Sequence, residues 1–141
     1  MPSRQIVNLD DATLVKAPDG SDIRLLPTVD GASMVHCSLP PGAVTKAVFH
    51  RTVEEVWYCL SGLGALWRSG DEDDEPVALR PGVAANIPLG VRFQFRNDGQ
   101  SPLEILIVTS PPWPDAPDSG DSGDSEASEA VFCDGPWQPT L

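Results

Sequence analysis

Turn-forming residues break this chain at short intervals, and that punctuation constrains the fold more than anything else in it. Fifteen prolines and twelve glycines are spread over 141 residues. They gather as Pro18-Asp19-Gly20, Pro40-Pro41-Gly42, Pro81-Gly82, Pro88-Leu89-Gly90 and Asn97-Asp98-Gly99. Proline removes a ladder donor and glycine tolerates a positive φ, so each cluster ends an extended run and turns the chain. Between them lie short strand-like segments at 6–9, 23–29, 32–39, 44–50, 55–60, 65–68, 77–79, 84–87, 92–96 and 103–109. Residues 10–17 read as a single helical turn, with Asp10 or Asp11 as its cap. Ten short strands at steps of about 8–12 residues, with no long helical period, call for an all-β barrel or sandwich.

The length suits one core. The formal net charge is −12, and residues 110–141 hold seven of the 21 acids with no Lys or Arg. An acidic surface repels phosphate backbones and anionic lipids, so nucleic acid and membrane are not expected partners. Three cysteines, Cys37, Cys59 and Cys133, form no paired spacing, and no apolar run approaches the length of a span. A reduced, cytoplasmic setting is the expectation, with each thiol a small buried hydrophobe. Five consecutive acids at 71–75 read as a solvated hairpin loop.

The chemistry-bearing stretch is 48–62, VFHRTVEEVWYCLSG. His50 and Glu55, five apart, suit two side chains on consecutive strands facing one cavity. Downstream, 82–97 runs Gly82, five residues, Pro88, one residue, Gly90, two residues, Phe93, three residues, Asn97. This spacing resembles the second motif of the cupin family, with Phe93 where the family has histidine. Counting back from Gly62, the first cupin motif places its glutamate on Glu55 and its second histidine on His50. Its first histidine falls on Val48 and its opening glycine on Gly42. The resemblance covers residues 42–97 and implies an all-β cupin double-stranded β-helix, a jelly-roll-like β-barrel, followed by an irregular acidic C-terminal tail. Residues 1–112 are then the barrel domain and 113–141 the tail.

In cupins the two histidines and the glutamate of the first motif, with the histidine of the second, bind a divalent metal. Here the resemblance carries over only His50 and Glu55. Val48 and Phe93 offer no donor, and catalytic metal sites use three or more protein ligands. His36 or Cys37 on the preceding strand offers a substitute that the spacing does not favour. Any divalent ion would be weakly held, on His50 and Glu55 alone.

Alternation with period two turns Glu55, Trp57 and Cys59 inward, and Phe93 and Phe95 likewise, with Val91 at the mouth. With Val48 these residues make an apolar pocket holding one histidine and one glutamate, a common build for a small-molecule site. Burial raises a carboxyl pKa and histidine titrates near neutrality, so His50 and Glu55 form a candidate acid–base pair. Three readings stand open. One is a small enzyme of isomerase, epimerase, cyclase or lyase type acting on a small organic molecule. Another is a non-catalytic binding or sensing module, and the third a dioxygenase-like cupin with a reduced ligand set. The plain structural reading, a buried pair tolerated for its own hydrogen bonding, stands beside them.

Residues 115–129 are Ser, Asp, Gly and Glu with scarcely an apolar side chain, a composition that cannot offset its ordering entropy. Apolar character returns at Val131, Phe132 and Trp137. Trp113 and Trp137 are expected to pack outside the barrel or on a partner subunit. The family resemblance adds the expectation of a homodimer.

Overall fold

The structure, a computed structural model, describes residues 3–70, 74–113 and 129–141. Eleven strands make up the described chain: β1 (Leu14–Lys16), β2 (Asp22–Thr28), β3 (Ser33–Leu39), β4 (Val48–His50), β5 (Glu54–Ser61), β6 (Gly64–Arg68), β7 (Val77–Leu79), β8 (Ala84–Ile87), β9 (Phe93–Asn97), β10 (Leu103–Ser110) and β11 (Ala130–Phe132). They form two antiparallel sheets. One has the order β1-β2-β3-β10-β5-β8 and the other β11-β4-β9-β6-β7. The non-sequential neighbours, such as β10 between β3 and β5, are the crossovers of a double-stranded β-helix.

Burial follows the two-residue period of the pleat. Along β5 Glu55, Trp57 and Cys59 are buried, while Val56, Tyr58 and Leu60 are exposed. Along β10 Leu103, Ile105, Ile107 and Thr109 face inward. The inner faces of the two sheets interdigitate there, and the side chains between them are the core.

The residues that carry the motif spacing have structural work. Gly62 sits at φ +91°, and a Cβ there would lie 2.7 Å from the Leu103 Cα and the Pro102 carbonyl oxygen. No other residue fits that approach. Asn97 is buried; its Nδ2 donates to the Leu39 and Ser101 carbonyls, and its Oδ1 accepts from the Gly99 N–H. One side chain thus ties the 97–101 turn to the end of β3. In the turn before β9, the Gly90 N–H donates to the His50 carbonyl, so the second motif holds the backbone of the first.

Several expectations need correction. Residues 6–9 are not a strand: Ile6 is fully exposed, and Leu9–Asp11 forms a 3-10 turn capped by Asn8, whose side chain accepts from the Asp10 N–H. Such local hydrogen bonds compete with a sheet ladder. The helical turn foreseen at 10–17 therefore sits earlier, and Leu14–Lys16 is the edge strand beside β2, joined by a Lys16–Asp22 ion pair at 2.6 Å. The strand foreseen at 44–50 is regular only from Val48. Before it, Thr45 bonds Phe95 through its side-chain hydroxyl as well as its backbone.

Of the tail, 114–128 lies outside the described residues, as do 71–73 of the acidic loop. Glu129, from the stretch whose composition argued against order, is buried at 7 % exposure. After it the chain runs antiparallel to β4, with Ala130 opposite His50, Val131 opposite Phe49 and Phe132 opposite Val48.

Candidate functional site

β4, β5 and β9 bring His50, Glu55 and Phe93 to one end of the barrel interior. His50 Nε2 lies 3.5 Å from Glu55 Oε2. Glu55 Oε1 accepts a 2.9 Å hydrogen bond from the Trp57 indole N–H. Phe93 stacks on the His50 ring, with centroids 5.6 Å apart and planes 29° apart. Trp57 meets both Phe93 and Phe95 edge-on. An aromatic wall therefore stands where the second cupin motif would have placed a ligand.

Three buried residues join this group that the sequence did not single out as functional. Glu129 Oε2 lies 2.7 Å from His50 Nδ1, on the far side of the ring from Glu55. Asp19, from the Pro18-Asp19-Gly20 turn, is buried with its carboxylate accepting from the Ser21 N–H and hydroxyl. Trp113, expected outside the barrel, is 5 % exposed and packs in the core. A bulky ring at the end of the sandwich excludes more water than it would on the surface. Trp137 does lie on the outside, with Arg96 over its ring at 4.3 Å.

These side chains enclose a cavity of about 20 Å³, lined by Asp19, Cys37, His50, Glu55, Trp57, Phe93, Phe95 and Trp113 among others. That is room for about one water. Val48, Cys59 and Val91, expected on the wall, are not part of it. Val48 is packed in the core. Cys59 sits two residues further along β5 than Trp57, about 7 Å away at the rise of a strand. Val91 is half-buried in the turn before β9. A wider depression of about 310 Å³ lies by the outer face at Glu54, Val56, Asn86, Val108 and Ser110, and it also borders Glu55.

The electrostatics follow from burial. Loss of solvent raises Glu55 above the ordinary glutamate value; the His50 charge and the Trp57 hydrogen bond oppose this without cancelling it. Asp19 is raised for the same reason, against its bonds to Ser21. Burial alone would lower His50. The Glu129 hydrogen bond and the negative fields of Glu55, Glu129 and Asp19 outweigh it, and the imidazole is raised. Desolvation pushes the Cys37 and Cys59 thiols up, which makes them inert.

The donor set does not fit the divalent metal of the cupin motif. Phe93 and Val48 stand at two ligand positions, and among the described residues no three His, Cys, Asp or Glu side chains are placed to hold an ion. His36 is no substitute: on the opposite face of β3 from the cavity, its Nε2 pairs with Glu104 at 3.4 Å. Cys37 reaches the cavity, but with its thiol proton held by burial.

The architecture is thus a two-sheet β-helix whose interior carries buried ionisable groups at one end. The cupin domain family matches residues 35–109, just over half of the chain, and the chain belongs to that family. It is 32% identical over 81 residues to the uncharacterized protein MJ1618 of Methanocaldococcus jannaschii, covering 57% of this chain and 62% of that protein. It is 33% identical over 73 residues to the xanthan biosynthesis protein XanB of Xanthomonas campestris, covering 52% of this chain and 15% of that one. The chain therefore spans less than two thirds of either relative. Among solved structures, TT1209 of Thermus thermophilus matches at 25% identity and a TM-score of 0.61, over 78% of this chain and all of that one. Streptomyces PAC13, solved with uridine, matches at 13% identity and a TM-score of 0.67, over 94% and 92%; PAC13 is described as a nucleoside dehydratase. Among the described residues no helix is long and apolar enough to cross a membrane.

Proposed function

We propose that this protein is a small-molecule enzyme that moves protons with His50 and Glu55, without the four-ligand metal centre of its family. The observation that carries the reading is the buried 3.5 Å approach of His50 Nε2 to Glu55 Oε2 inside an aromatic wall. A cavity with no use would be expected to fill with aliphatic side chains. This one keeps ionisable groups whose burial is costly.

The pair has the properties that acid–base work asks for. Glu55, raised by desolvation, gives up its proton at a higher pH than an ordinary glutamate. With a proton on Nδ1, a neutral His50 presents the lone pair of Nε2 towards Glu55. One group can take a proton from carbon beside a carbonyl while the other returns one, which is an isomerisation or epimerisation. If the acid instead protonates a departing hydroxyl, the product is an alkene and water. A cavity of about 20 Å³ holds no substrate, so binding requires its lining to move. Among the described residues no Lys or Arg lines it, which favours uncharged, hydroxylated compounds over phosphates. The fold shared with PAC13 makes nucleosides a reasonable class to try first.

The test is a panel of uncharged sugars, small carbonyl compounds and nucleosides, uridine included, followed by mass and by deuterium uptake from solvent. The expected result is conversion of one compound, with His50→Gln and Glu55→Gln each reducing turnover by about 10²- to 10⁴-fold in proteins that still fold. Saturable binding of a panel member with no conversion would overturn the reading in favour of a binding module.

A further inference from the structure

The C-terminal segment is fastened to the barrel by several independent devices, and together they deliver one carboxylate to His50. The Arg51 N–H donates to the Glu129 carbonyl at 2.7 Å, and β11 pairs with β4 from Ala130 to Phe132. The Cys133 N–H donates to the Ala47 carbonyl. Buried Gln94 accepts from the Trp137 N–H and donates to the carbonyls of Trp137 and Thr45. Gly135 passes so close to Gln94 that a Cβ would collide with its Oε1. Thr140 bonds Val44 through both backbone and hydroxyl.

This anchorage is more than a short edge strand needs, and its product is specific. Glu129 Oε2 meets His50 Nδ1 at 2.7 Å. Its other oxygen, Oε1, is buried with no hydrogen-bond partner among the described residues. A carboxylate desolvated around a single charge-assisted bond is a poor stability device. It is a good way to orient a ring. A carboxylate can only accept, so His50 must carry its proton on Nδ1. Phe93 fixes the ring plane, the Gly90 N–H fixes the backbone, and Nε2 is left towards Glu55.

We infer that Glu129 is a positioning residue for the acid–base pair: it holds the His50 ring with its proton on Nδ1 and leaves Nε2 as the working nitrogen. The inference rests on the proposed role of His50 and Glu55, and it makes the C-terminal segment part of the functional unit. A base oriented by a third group is the general arrangement of activated proton-transfer sites.

The test uses the full-length, ¹⁵N-labelled protein and needs no substrate. The chain has two histidines, His36 and His50, so His36→Gln assigns the imidazole signals. The expected spectrum shows an exchange-protected, far-downfield proton on His50 Nδ1. Glu129→Ala loses it, and Glu129→Gln, which keeps the shape of the side chain, keeps a proton there but moves it upfield. A folded wild type with no protected Nδ1 proton on His50 overturns the inference, and so does a signal unchanged in either variant. Should the alanine variant not fold, the glutamine variant decides by itself. The ring proton judges the placement alone, whereas turnover of the His50 and Glu55 variants judges the acid–base reading, so the two can fail separately.

Discussion

The two ends of the barrel interior are built from the same strands and have opposite character. At one end Leu39, Leu66, Leu79 and Leu103 are fully or almost fully buried, and the Asn97 turn closes over them with both of its side-chain polar atoms hydrogen-bonded. At the other, Asp19, His50, Glu55 and Glu129 are buried with comparable completeness. Leu103 and Thr109 lie on one face of β10, and Cys59 and Glu55 on one face of β5. Within about 20 Å of strand the environment passes from dry hydrocarbon to a nest of ionisable groups. Packing explains the first end. It does not explain the second, where each carboxyl sits above its ordinary pKa or beside an imidazole that does. The contrast separates the packing that holds the barrel together from the groups on which the proposed acid–base role rests.

The apolar end should show the larger stability effect. Leu103 has no exposed surface, and its side chain fills the space beside Gly64. Leu103→Ala is expected to lower the unfolding free energy by about 2–5 kcal/mol, through lost transfer energy and the void left behind. Denaturant titration would measure it, and the loss should be the same at pH 5 and pH 8.

The polar end should show itself through pH. Asp19, Glu55 and His50 are all raised in the folded protein above 3.8, 4.5 and 6.5 respectively. A raised pKa means that the native state binds more protons than the unfolded chain, so stability falls as pH rises through that window. For the carboxyls the fall begins above their unfolded values, near pH 4. For His50 its contribution is intact below 6.5 and lost as pH passes the folded value. The denaturation midpoint of the wild type should therefore drop from pH 5 to pH 8. Glu55→Gln removes one of the three groups and should make the slope shallower. An unchanged slope would mean that Glu55 does not hold an extra proton in the folded state.

The two ends also differ in how far the sequence disclosed them. The apolar end was open to reading because turns have local chemistry. Gly62, Pro88, Gly90 and Asn97 stand at fixed spacings for steric reasons that act over a few residues, and alternation along 55–60 sets which side chains face in. His50, Glu55, Trp57 and Phe93 were legible for that reason. Glu129 was not. It is one of seven acids in a segment of low apolar content, and what orders it is pairing of β11 with a strand about 80 residues earlier. The one local signal is the Ala130-Val131-Phe132 run that follows it. Asp19 was read correctly as a turn residue through its bonds to Ser21, but burial of that turn is a tertiary fact. Trp113 gave its size and not its side. That Val48 and Phe93 stand where the motifs have histidine could be read from the spacing; the stacking of Phe93 on His50 is a tertiary fact.

The proposed role keeps Glu55 in the barrel for chemistry and not for stability, and the smallest expected effect tests it best. In Glu55→Gln the amide oxygen can still accept from Trp57, and His50 keeps Glu129 as its partner, so no buried charge is orphaned. The unfolding free energies of wild type and Glu55→Gln should be compared at pH 8, where the cost of an ionised Glu55 is greatest. The account predicts a variant as stable as the wild type or more so, while proton-transfer activity is lost. A variant destabilised by more than about 2 kcal/mol, on the scale of a broken buried interaction, would make Glu55 a structural residue and contradict it.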